Sequence, residues 1–105
     1  MPYLGAWRLN DVLTFYADTI DPDTGFSADA NALPTYRIYE NITNTPLLTG
    51  TMAVLDDANT AGWYAAQVTL NAANGFELFK QYAVRIEATV AQVTAAFHHT
   101  WQILS

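Results

Sequence analysis

His98 and His99 are the only histidines, and the chain has no cysteine, so few residues could build a metal or nucleophile site. Adjacent residues on a strand face opposite ways, so this pair cannot ligate one metal ion without a kink. His99 stands between Phe97 and Trp101 in an alternating run, where a packed or interfacial histidine is expected. Asp21-Pro22-Asp23-Thr24-Gly25 spaces two carboxylates as some calcium loops do, but the closing Glu of the full loop is absent. The same residues are turn chemistry. A turn without metal is the expectation, with Asp56-Asp57 and Asn59 a second acidic group to consider. No Gly-x-Ser-x-Gly elbow, phosphate loop or dinucleotide fingerprint occurs. Glu40, Glu77 and Glu87 have no spacing that convenes two of them as acid and base, and Glu87 pairs more naturally with Arg85 on a solvated face. The residues therefore predict no enzyme, no cofactor and no metal. Asn41-Ile42-Thr43 matches a glycosylation sequon, read as chance without a signal peptide.

The composition narrows the partners. Ten acids against four bases give a net charge of -6 in 105 residues. That balance opposes phosphate binding and polybasic membrane contact, both of which need clustered Lys and Arg. Half the residues are hydrophobic (51%), enough for one core and one domain over residues 1–105. Residues 1–9 read as an N-terminal arm or first strand. The start of the chain lacks the basic and apolar runs of a secretory signal, so no export by a cleaved signal is expected. Charge is uneven: residues 11–29 hold five Asp and no base, whereas residues 88–105 hold no charged residue, Pro or Gly.

Period-two alternation dominates the elements that must position these groups. Tyr82, Val84, Ile86, Ala88 and Val90 share one face, as do Tyr64, Ala66, Val68 and Leu70. Val93, Ala95, Phe97, His99, Trp101 and Ile103 form the face of a last strand, and Leu13, Phe15 and Ala17 that of an early one. Residues 35–40 form another strand, and residues 47–55 two short ones broken at Gly50. One helical turn is expected near Phe76-Glu77-Leu78-Phe79. About seven short strands in one small domain predict an all-β, antiparallel sandwich.

Gly62-Trp63-Tyr64, Asn74-Gly75-Phe76 and Tyr82-Ala83-Val84-Arg85-Ile86-Glu87-Ala88 together resemble the E-to-F corner of bacterial and phage immunoglobulin-like sandwiches. Residues 10–15 and 34–40 fit strands B and C. The resemblance is strongest to immunoglobulin-like structural proteins of tailed-phage virions. It implies a corner tyrosine at Tyr82, its hydroxyl tied back to the chain. It also implies a non-enzymatic virion protein, assembled in the host cytoplasm, that decorates a capsid or serves the neck or tail by binding capsid or other virion subunits. The alternative is a carbohydrate-binding or adhesion module of a tail fibre or cell surface, using Tyr3, Trp7, Tyr16, Tyr39 and Trp63 as stacking surfaces. The expected partner interface comprises Trp7, Tyr39, Trp63, Phe97, His99 and Trp101. An immunoglobulin-like topology puts the uncharged last strand near a sheet edge, to be covered by the N-terminal arm, Tyr3 to Arg8, or by another subunit. The arm accounts for part, and the low charge predicts a homo-oligomer, trimer or dimer, which Trp101→Asp would dissociate with the β-structure intact.

Overall fold

The computed structural model describes residues 3–41, 43–55 and 61–105. Asp56, Asp57 and Asn59, and the central Ile42 of the sequon, lie outside them. The described residues form eight strands: β1 (Tyr3–Trp7), β2 (Val12–Asp18), β3 (Thr35–Glu40), β4 (Leu48–Thr51), β5 (Ala53–Val54), β6 (Trp63–Thr69), β7 (Lys80–Val90) and β8 (Val93–Ile103). They make a five-stranded sheet of order β1-β8-β7-β3-β4 and a three-stranded sheet of order β2-β6-β5. Every pairing is antiparallel except β1 with β8, which is parallel.

Alternation put one face of each long strand into a shared core. Leu13, Phe15 and Ala17 of β2 with Tyr64 and Val68 of β6 meet Ile38 of β3, Val84 and Ile86 of β7 and Ile103 of β8. Removing such side chains from water, at roughly 25 cal/mol per Å² of apolar surface, is what holds two sheets together. Phe15 and Tyr36 join the sheets directly, edge to face, with ring centroids 5.1 Å apart.

The strands over residues 48–54 divide differently from the sequence expectation. Gly50 lies inside β4, opposite Tyr36, because a Cβ there would overlap the tyrosine ring. The chain instead changes sheets at the buried Met52, whose N–H bonds to the Pro34 carbonyl at 2.8 Å. The helical turn is also displaced, to a 3₁₀ turn at Ala72–Asn74. Asn71 caps it by accepting the Asn74 N–H at 2.9 Å, and Gly75 (φ +94°) ends it. Phe79 could not continue a helix: its φ is +62°, and its N–H bonds to the Ile103 carbonyl at 2.6 Å.

The Tyr82 hydroxyl is tied back to the chain just before β7. The Glu77 N–H donates to the Tyr82 hydroxyl at 2.8 Å, and the Tyr82 ring stacks 6.0 Å from Trp101, its register partner on β8. Burial raises the Tyr82 pKa above its ordinary value of 10.0. At the surface nearby, the Lys80 ammonium sits 2.9 Å from Glu40. That hydrogen bond, then the negative charges of Glu40 and Glu77, raise the Lys80 pKa above 10.5. Both groups hold their protons more tightly folded than unfolded. The stability they contribute is complete below about pH 10 and is lost as the pH rises through their raised values. The expected result is a fall in urea midpoint above about pH 10 that is shallower in Tyr82→Phe and in Lys80→Met than in wild type.

Candidate protein-binding surfaces

The six expected interface residues do not form one surface. Trp101, expected at a partner interface, is instead fully buried, packed against Tyr82 and Phe76, whose rings also meet each other at 4.9 Å. Its position on the face shared with Phe97 and His99 is as expected, but at its end of β8 that face is covered by Phe76, from the segment after the 3₁₀ turn. It cannot meet a partner in the folded chain, and Trp101→Asp would bury a charge rather than split an oligomer. Trp7 is half-buried against the core, its indole N–H spent on the Leu4 carbonyl at 3.0 Å. Tyr39 is half-buried on β3, opposite Ala83.

Phe97 and His99 do sit together on β8, with rings edge-on and centroids 6.1 Å apart. Neither ring nitrogen of His99 has a hydrogen-bond partner, and both are shielded from water. Its neighbour His98 faces the other way, opposite Arg85, so the pair shares no site. Phe97 also lines an apolar groove of about 240 Å³ with Ala88 and Val90 of β7, Val93 and Ala95 of β8, and Ile20 beyond β2.

Trp63 lies elsewhere, on the outer face of the three-stranded sheet and 46% exposed. It stands opposite Asp18 on β2, while Tyr16 stands opposite Ala65. Two residues apart on facing strands is the diagonal relation, within reach of aromatic side chains. Tyr16, Asp18, Leu55 and Trp63 border one concavity of about 340 Å³. A second, of about 460 Å³, adjoins it through Tyr16 and Leu55 and is lined by Thr14, Gln67 and Tyr36. Gln67 donates to Thr14 across the strands at 3.2 Å.

No family model, curated protein or solved structure matches this chain.

The sequence pattern had assigned Tyr16 and Trp63 to outer faces, but not to each other. Leu55 was missed as part of this surface. The signal that joins the three is pairing register, since β5 ends beside Trp63 and the Leu55 N–H bonds to the Trp63 carbonyl at 3.1 Å. The acidic loop is built as a turn: the Asp21 carboxylate accepts the Asp23 N–H at 2.8 Å, and the Asp21 carbonyl accepts the Gly25 N–H at 2.8 Å. Arg85 and Glu87 form an ion pair on the outer face of β7 at 2.5 Å, partly exposed and so worth little to stability. Among the described residues, no three His, Asp or Glu side chains converge as a metal site.

Proposed function

We propose that this chain is an immunoglobulin-like, non-enzymatic structural protein of a virion, which decorates a capsid by binding neighbouring subunits through the outer face of its three-stranded sheet. Two features support the immunoglobulin-like part. The strand order groups β8, β7 and β3 in one sheet and β2, β6 and β5 in the other, as strands G, F, C and B, E, D group in immunoglobulin sandwiches. The Tyr82 hydroxyl is held by the Glu77 backbone just before its own strand, where the corner tyrosine of those domains is held.

The observation that carries the binding reading is the clustering of Tyr16, Leu55 and Trp63, each more than 40% exposed, on one open face. Contiguous exposed apolar side chains rimmed by polar ones mark contact sites, and Trp and Tyr dominate the energetics of protein contacts. Asp18, Thr14 and Gln67 supply the polar rim.

The same arrangement supports a second reading, a carbohydrate-binding module. Two exposed aromatic rings beside Asp18 and Gln67 can stack on a sugar and hydrogen-bond its hydroxyls.

Co-sedimentation with virus particles assembled without this chain separates the two. Wild type pellets with the particles, and Trp63→Ala weakens that binding roughly 30-fold, the loss of about 2 kcal/mol typical of a hot-spot truncation, with the circular dichroism unchanged. If Trp63→Ala pellets like wild type, the particle-binding reading fails. If Trp63→Ala abolishes retardation of the protein in polysaccharide gels but leaves particle binding intact, the carbohydrate reading takes its place.

A further inference from the structure

The edge of the larger sheet is only half covered. Strand β8 is paired on one side along its whole length, from Val93 against Val90 to Ile103 against Lys80. On its other side, β1 reaches only Thr100, Gln102 and Ile103. Among the described residues, the seven positions 93–99 therefore have no neighbour on that side. A strand edge carries backbone N–H and C=O groups directed outward, a template for another strand. Sheet proteins guard such edges with charge, Pro or a bulge, and residues 88–105 supply no charged residue and no Pro.

We infer that residues 93–99 pair with the same residues of a second copy of this chain, antiparallel about a two-fold axis at Ala96. The inference stands apart from the virion reading, since it uses the other sheet and needs no other protein.

Three observations favour a second copy as the occupant. The first is electrostatic: two copies each of charge -6 repel over most of their surface, and the segment at 88–105 brings no acid to face another acid. The second is fit. Pairing about Ala96 sets Phe97 opposite the partner's Ala95, His98 opposite the partner's Thr94 and His99 opposite the partner's Val93, so each large side chain meets a smaller one. The third is continuity of the apolar face. A two-fold axis perpendicular to the sheet keeps inner faces on the same side. The partner's Val93, Ala95 and Phe97 then extend the apolar lining that the same residues of the first copy already give the groove beside Ile20. Isologous pairing also closes both open edges at once, so growth stops at two.

Sedimentation velocity on the full chain from about 1 to 100 µM reads the assembly. Wild type is expected to sediment as a dimer. Ala96→Lys is expected to keep the β spectrum, because its side chain faces outward opposite Glu87, and to weaken dimerisation at least tenfold by setting two ammonium groups on the axis. The chain has no cysteine, so Ala96→Cys gives one thiol per copy. Residues directly opposite on an antiparallel pair bring their Cβ atoms to about 5 Å, and mild oxidation is expected to link the dimer covalently. A wild-type monomer throughout that range overturns the inference, and so does a trimer. A dimer that Ala96→Lys leaves intact and Ala96→Cys fails to link also overturns it, placing the contact elsewhere.

Discussion

Trp101→Ala is expected to remove about 3–5 kcal/mol of stability, the usual cost of truncating a buried aromatic to alanine. Against the roughly 5–15 kcal/mol that holds a domain folded, that is a large share. Trp101 packs against both Tyr82 and Phe76, with centroids at 6.0 and 6.4 Å, so the cavity would open beneath the corner that the Tyr82 hydroxyl secures. Its neighbours are themselves fixed by a hydrogen bond and by register, which limits how far they can collapse into the gap. The indole N–H has no hydrogen-bond partner. Trp101→Phe therefore discards an unsatisfied donor along with volume, and is expected to cost much less than Trp101→Ala. Urea titration of the three chains checks the order, and equal losses in both variants would refute it.

Gly62→Ala is expected to cost about 3 kcal/mol or more, and Gly25→Ala only about 1–2, although the two glycines share nearly the same backbone angle. Gly62 has φ +77° and Gly25 φ +76°, so both substitutions carry the penalty of a left-handed conformation. They differ in what a Cβ would meet. At Gly25 nothing lies within 4 Å; at Gly62 the Thr19 and Ala28 carbonyl oxygens would stand 2.6 and 2.7 Å away. Those oxygens cannot move aside cheaply. The Thr19 carbonyl accepts the Ala28 N–H, the Ala28 carbonyl accepts the Thr19 hydroxyl, and Gly62 is itself bound to Asp29 and Thr19. The difference between the two urea midpoints isolates the steric part. A Gly62→Ala loss no greater than that of Gly25→Ala would mean the loops around Thr19 yield easily.

The strands were legible where burial stays on one face. In β2, β6 and β7 every buried residue lies on the face that the sequence pattern names, although Ala66 and Ala88 on those faces are only partly buried. β8 was harder for a geometric reason. Like β7 it is 11 residues long against 7 each in β2 and β6 of the opposing sheet, but its first four residues, Val93 to Ala96, are all exposed. One continuous face is therefore core at Trp101 and Ile103 and open at Val93 and Ala95. Alternation reports the face and not the cover, which is why Trp101 was expected at the surface. Gly50 was misread because a glycine that makes room for a tyrosine ring has the same letter as one that breaks a strand. The meeting of Tyr16 with Trp63 depends on Asp18 lying opposite Trp63, a register that no local pattern encodes.

The partial cover that β1 gives β8 has a kinetic consequence. The β7–β8 hairpin closes through only two residues, Ala91 and Gln92, both in the left-handed region. It can form while the rest of the chain is still searching. The β1–β8 pairing joins Tyr3 to Thr100, near opposite ends of the sequence, and so carries the largest loop-closure entropy of any strand pair in the fold. The N-terminal strand is thus expected to arrive last, and until it does the whole outer edge of β8 is unpaired rather than, among the described residues, positions 93–99 alone. Refolding yield should accordingly fall with protein concentration more steeply than the stability of the finished fold would suggest, because two half-folded chains can meet along β8 before either has placed its own β1.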